Sequence, residues 1–355
     1  MLKIDSDVDH ADMKTFKKFL PYILVAVVFI VVGWLLINRQ QDGDLYSKQF
    51  FAMDTIMDFK VWGKDAKPAT EAAEAEIDRL EKLLSTNRDS SEVAKLNKNS
   101  SGRVSGDTLA VIKLALNVGT RTGGAEDITM YPITRLWGFT TGKYRVPSDG
   151  EIKKTLKYVG PKHIKISGNT VTLDPGSEID LGSVAKGYAA DKVIDIMKRY
   201  SVSSAVISLG GNIGTYGKKD GTGDWRVGVE DPAHPDQYAG ILTVGQKAVT
   251  TAGNYQRYFD AGGKRYCHIF DPATGYPASN GLASVTIVSD SGTFSDGIDT
   301  PLFVMGLDNA INFWRKSNDF EAVFIDTNGK IYVTEGLKNS FSDCPNGFSV
   351  ISRKS

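Results

Sequence analysis

Asp296, Asp299 and Thr300 stand at i, i+3 and i+4 within Ser295-Asp296-Gly297-Ile298-Asp299-Thr300, which places two carboxylates and a hydroxyl on one face of a helix. An all-oxygen set of this kind suits Mg²⁺, which keeps several waters and takes substrate phosphates as further ligands. The same residues also suit a helix N-terminus, where an aspartate binds backbone N–H groups and no metal is needed. On spacing alone both readings stand.

Four other stretches join Gly-rich turns to reactive side chains. Ile179-Asp180-Leu181-Gly182-Ser183-Val184-Ala185-Lys186-Gly187-Tyr188 leads from an apparent strand into a helix, and so offers a helix N-terminus, close backbone approach and a lysine to a phosphate. It is not a Walker A sequence, and such turns are often only structural. Gly123-Gly124-Ala125-Glu126-Asp127-Ile128-Thr129 runs on to Leu136-Trp137-Gly138-Phe139, while Ala52-Met53-Asp54-Thr55 opens a strand-like run to Gly63. His268, one of 4 histidines, sits among turn formers in Tyr266-Cys267-His268-Ile269-Phe270-Asp271-Pro272, where a loop residue is free to be functional. Leu209-Gly210-Gly211-Asn212 reads as a tight turn.

The elements that must position these groups follow from hydrophobic period. Ala72, Ala73, Ile77, Leu80 and Leu84 predict an amphipathic helix over 70–84, with further helices over 109–118 and 188–197. Strand-like runs appear at 205–208, 226–229, 241–244, 283–288, 322–325 and 330–333. Several late strands follow one another directly, which favours an α+β fold over βαβ alternation.

Phe19 to Ile37 contains no charged residue and is long enough to span a bilayer. Lys3, Lys14, Lys17 and Lys18 precede it, so the expected organisation is a cytoplasmic segment (1–18), an anchor (19–38), a tether (39–47) and an extracytoplasmic domain (48–355) at the cell membrane. The run exceeds a usual signal-peptide core, and no small-x-small cleavage site follows it. With 42 basic and 42 acidic side chains, the chain lacks the electrostatic footprint of a nucleic-acid binder. Cys267 and Cys344 are expected to be free thiols, although export would permit a disulfide.

In this order the segments resemble the ApbE family of FAD:protein FMN transferases. The resemblance is carried by Met-x-Thr, STNRDSSEVAKLN, AEDIT…P…LWGF, DLGSVAKGYAAD, SLGGNI, W-x-VGVEDP, TAGNYQRYF, HIFDPATGYP and SDGIDTPLFVMG, and spans residue 50 to the C-terminus. It implies an ApbE-like, T-fold-related domain that holds FAD with Mg²⁺ on the diphosphate. It further implies metal ligation by Asp296 and Thr300, with Asp299 assisting and Ser183 giving its carbonyl. FAD contacts would come from Met53, Asn87, Ala125, Glu126, Asp127, Asp180, Lys186 and Phe270. The general base would be one of Asp180, His268 and Asp296, with an aspartate preferred. The implied acceptors are extracytoplasmic proteins with FMN-binding domains and a Ser/Thr-Gly-Ala-Ser/Thr-like motif, which this chain lacks. The alternatives are an FAD pyrophosphatase giving FMN and AMP, or a non-catalytic surface flavin binder. Asn87 departs from the family's usual aromatic residue, Asp54 from its glycine and Cys267 from its histidine or tyrosine.

Overall fold

The computed structural model describes residues 45–219 and 221–354. The expected cytoplasmic segment and anchor therefore lie outside the described residues, as does most of the tether. Among the described residues no helix is long and apolar enough to cross a membrane.

In chain order the elements are β1 (Leu45–Ala52), β2 (Thr55–Gly63), α1 (Ala66–Leu84), α2 (Glu92–Asn99), β3 (Ser101–Arg103), α3 (Gly106–Arg121), α4 (Tyr131–Leu136) and α5 (Asp149–Thr155). Then come β4 (Ile164–Ser167), β5 (Thr170–Leu173), α6 (Gly182–Arg199), β6 (Val202–Leu209), β7 (Asn212–Tyr216), β8 (Trp225–Asp231), β9 (His234–Val244) and β10 (Ala248–Gly253). The chain finishes with β11 (Tyr258–Ala261), β12 (Lys264–Cys267), β13 (Leu282–Ser289), α7 (Gly292–Met305), α8 (Leu307–Arg315), β14 (Phe320–Asp326), β15 (Ile331–Thr334), β16 (Phe341–Ser342) and β17 (Ser349–Ile351).

A nine-stranded sheet runs β1-β2-β6-β7-β10-β13-β14-β15-β17, with the β15–β17 pair parallel and the others antiparallel, so the α+β expectation holds. Alternation along its strands explains the layers. Ala322 and Phe324 of β14 pack with α7 and α8, while Val323 and Ile325 face the other way against Trp225, Val227 and Leu242 of the small β16-β9-β8 sheet. At the β1–β2 end, Met57, Phe59 and Val61 pack with Ala69, Ala73, Ile77 and Leu80 of α1 and with Val184 and Val193 of α6.

Two boundaries differ from expectation. Leu45–Ser47, within the expected tether, pair with Lys60–Trp62 as the start of β1. The sequence LYSKQFF alternates only partly and carries a lysine, which hid the strand. Ile179–Leu181 form no strand; they are an irregular lead into α6. Both Cys267 and Cys344 are free.

Candidate active site

A cleft of about 630 Å³ opens where the ends of β2, β6 and β10 meet α6 and α7. Its first wall is a pair of adjacent two-residue hairpin turns. Met53 and Asp54 join β1 to β2 with φ of 48° and 60°, and Gly210 and Gly211 join β6 to β7 with φ of 62° and 95°. The two turns nest closely: a Cβ on Gly210 would come within 2.4 Å of the Thr55 hydroxyl, so this glycine is required by packing as well as by φ.

The second wall is the crossing of α6 and α7. A Cβ on Gly187 would meet the Gly292 carbonyl at 2.2 Å and Asp296 Cβ at 2.5 Å, so only a glycine lets the helices approach this far. At the crossing Gly187 N–H donates to Asp296 Oδ2 at 2.7 Å, and Asn212 Nδ2 donates to Oδ1 at 2.6 Å. Asp191, one turn on, accepts from Ser291 Oγ, Gly292 N, Thr293 N and Thr293 Oγ1, and so anchors the start of α7. Because α7 begins at Gly292 with Ser291 as its N-cap, Asp296 lies in the second turn, and the N-capping reading of Asp296 fails.

Asp296 and Asp299 are both buried. Burial raises both carboxyls above their usual range, the Asp296 charge raises Asp299 further, and Lys186 offsets part of each shift. Thr300 Oγ1 donates to Asp299 Oδ1 at 3.2 Å. Thr300 and Asp296 line the cleft, whereas Asp299 sits behind the wall. Beside Asp299 the Thr250 hydroxyl is buried without a hydrogen bond of good geometry.

The donors gathered here fit Mg²⁺: all are hard oxygens, the two carboxylates are buried, and an orphaned hydroxyl lies next to them. Among the described residues there is no group of three or more His, Cys, Asp or Glu suited to a metal. Hydroxyl, carbonyl and substrate oxygens must therefore complete any coordination sphere. Gly187 N–H is the ordinary i−4 partner of the Ser183 carbonyl, so its engagement with Asp296 weakens that claim on the Ser183 oxygen.

The acids on the opposite side belong to the Ala125–Thr129 loop. Ser183 Oγ donates to Glu126 Oε1 at 2.6 Å, and Glu126 is buried. Burial, with Asp127, Asp296 and Asp180 nearby, raises its carboxyl to about 8 against the opposing Ser183 bond. Asp127 Oδ1 caps the turn by accepting from Thr129 N and Oγ1. Asp180 takes the Gly182 N–H at 2.9 Å. Its backbone is held by the preceding residue, since Asn97 pairs with both Ile179 N–H and C=O at 2.8 Å.

His268 follows β12 on a loop pinned by aromatic packing: Phe270 lies 5.8 Å from Trp137, whose Nε1 donates to the Gly275 carbonyl. His268 Nδ1 lies 3.2 Å from the Arg257 carbonyl, which can only accept, so Nδ1 carries the proton and Nε2 keeps its lone pair. Burial first, then the charges of Arg257 and Lys186, lower this imidazole to about 4.

Met53, Asn87, Ala125, Glu126, Asp127, Asp180, Ser183, Lys186, His268, Phe270, Asp296 and Thr300 thus line one cleft. Two of the departures meet there, since Asn87 Nδ2 donates to Asp54 Oδ2 at 2.9 Å. Asn97, Asp191, Asn212 and Arg257 were not singled out from sequence, although each lies within a quoted motif.

Known proteins resemble this chain in sequence and fold. The profile of the ApbE family matches residues 53–324. An FAD:protein FMN transferase of Klebsiella pneumoniae is 32% identical over 318 residues, covering 87% of this chain and 98% of that protein. One from Vibrio cholerae is 35% identical over 266 residues, covering 72% and 79%. Among solved structures, an ApbE protein from Thermotoga maritima superposes with a TM-score of 0.78 at 32% identity, covering 84% of this chain and 99% of that chain. Flavin transferase ApbE from Vibrio cholerae gives 0.74 at 29% identity, covering 84% and 99%.

Proposed function

The chain belongs to the ApbE family and is an enzyme that moves FMN from FAD to a protein; on that premise we propose that a Ser or Thr hydroxyl receives the FMN, that Mg²⁺ sits on the diphosphate and that AMP leaves. The observation that carries this reading is the convergence of Asp296, Thr300, Ser183 and Lys186 on the cleft that also holds His268.

Asp296, Thr300 and the Ser183 carbonyl would hold the cation, with Asp299 fixing Thr300 through the hydrogen bond from its hydroxyl. Bound there, Mg²⁺ offsets the charge that develops on the diphosphate. Lys186, in the second turn of α6, adds a fixed positive charge beside it. Met53, Ala125 and Phe270 give apolar surface to the flavin or adenine, and the 630 Å³ volume lies in the range of ligand clefts.

The acceptor oxygen attacks the FMN-side phosphorus, its proton passes to His268 Nε2, and the bond from that phosphorus to the AMP phosphate oxygen breaks. Asp296 is a poor base, because both of its oxygens already accept protein N–H groups. His268 is therefore placed ahead of Asp296 as the base. The acceptor carries a Ser/Thr-Gly-Ala-Ser/Thr-like motif. The lysines before Phe19 support an anchor over 19–38 with the catalytic domain outside the cytoplasm.

Intact mass tests the whole reading, with the full chain in detergent, FAD, Mg²⁺ and an acceptor domain bearing the motif. A gain of one FMN on the domain, abolished by a chelator and by Thr300→Val, is expected. Cleavage to free FMN and AMP without that gain would make the chain a pyrophosphatase, and intact bound FAD would make it a binding protein.

A further inference from the structure

The reaction brings a whole protein to the mouth of the cleft, and that mouth has an apolar lip. Phe51 is 72% exposed and Ile56 63%, and they are direct cross-strand partners at the tip of the β1–β2 hairpin. Their neighbours of opposite parity, Ala52 and Met57, point into the core with α1 and α6, so Phe51 and Ile56 stand on the outer face of the sheet. Of the four residues between them, Met53, Asp54 and Thr55 line the cleft.

The pair is isolated and rigid. The next cross-strand pair on that face is polar, with Gln49 Nε2 donating to Asp58 Oδ2 at 3.1 Å. The tip is a two-residue turn with both φ values positive, braced by Gly210 N–H donating to the Ile56 carbonyl. Two large apolar side chains are thereby presented at fixed positions, which limits the entropy lost when a partner covers them. Leu45, where the strand begins, is about 20 Å away along an extended backbone. The patch therefore belongs to the cleft end of the strand and not to its point of entry.

We infer that Phe51 and Ile56 are the surface on which the acceptor protein docks, through an apolar patch of its own beside the modified hydroxyl. The inference rests on the transferase reading, because that chemistry requires a protein over this rim.

The test uses the full chain in detergent, wild type against Phe51→Thr with Ile56→Thr, which keeps β-favouring residues in both strands. FMN attachment is followed on two probes, a folded domain with the acceptor motif and a ten-residue peptide with the same motif. The domain should lose about tenfold in kcat/KM, carried by KM, as expected for an aromatic anchor at an interface. Peptide flavinylation and FAD affinity should be unchanged. Equal losses on domain and peptide, or no loss on the domain, would overturn the docking role while leaving the transferase reading intact. A change from dimer to monomer with unaltered domain kinetics would give the patch to a second copy of the chain instead. If the wild-type chain modifies neither probe, the transferase reading fails and takes the docking surface with it.

Discussion

Gly187 N–H and Asp296 Oδ2 lie 2.7 Å apart where α6 and α7 cross, and this bond joins the helix that carries Lys186 to the helix that carries Asp296 and Thr300. Gly187→Ala should therefore strike fold and site together. The added methyl has backbone 2.2 Å away and cannot turn aside, so a loss of about 1–3 kcal/mol is expected. Urea denaturation should show a lower midpoint, and FAD should bind more weakly in the presence of Mg²⁺.

Asp296→Asn should remove the response of the fold to the cation. Ligand that binds only the native chain raises its melting temperature. Mg²⁺ with FAD should raise the melting temperature of the wild type and leave the variant unmoved. The variant should also lose about 1–3 kcal/mol, because its amide presents an NH₂ to either Gly187 N–H or Asn212 Nδ2, both donors. An undiminished Mg²⁺ response in the variant would remove Asp296 from the ligand set.

The imidazole of His268 gives a pH signature. With its folded value at about 4, it stays neutral across the physiological range, and the acid limb of kcat/KM attributable to it should fall near that value. Its folded value is lowered from 6.5, so the unfolded chain takes the proton first. Its contribution to stability is full above about 6.5 and is lost as the pH falls towards 4. Arg257→Leu removes one of the charges that disfavour imidazolium while keeping the backbone carbonyl, so the limb should move to higher pH. NMR titration of the His268 ring checks the direction.

Asn97→Ala should act at a distance from any ligand. The side chain satisfies both backbone groups of Ile179, and its loss leaves a buried N–H and C=O unpaired, a cost of about 1–3 kcal/mol. Asp180 follows directly, so FAD affinity should fall with stability. Asn97→Asp, which keeps the acceptor for Ile179 N–H and loses the donor, should lie between the two.

Local order made part of this site legible. The i, i+3, i+4 spacing of Asp296, Asp299 and Thr300 predicts their shared helical surface, and the Gly-Gly pair at 210–211 predicts its turn. The start of α7 was not legible, because its anchor, Asp191, comes from α6 about a hundred positions earlier. The same holds for Asn97 with Ile179 and for Asn212 with Asp296. Such pairings leave no period in a sequence, so their residues pass for ordinary loop and strand polar groups. Arg257 was hidden differently: its carbonyl, which any residue would supply, orients His268, while its guanidinium tunes the ring through space.

The separation of Gly187 from Asp296 in the chain also sets when the two walls of the cleft can first meet. A ribosome that has delivered α6 and β7 has supplied Lys186 and Asn212 but neither Asp296 nor Thr300. The unfinished polypeptide thus has the residues of one cleft wall without those of the wall opposite it. A truncated product ending before α7 lacks Asp296 and Thr300, and should therefore bind FAD with Mg²⁺ more weakly than the whole chain.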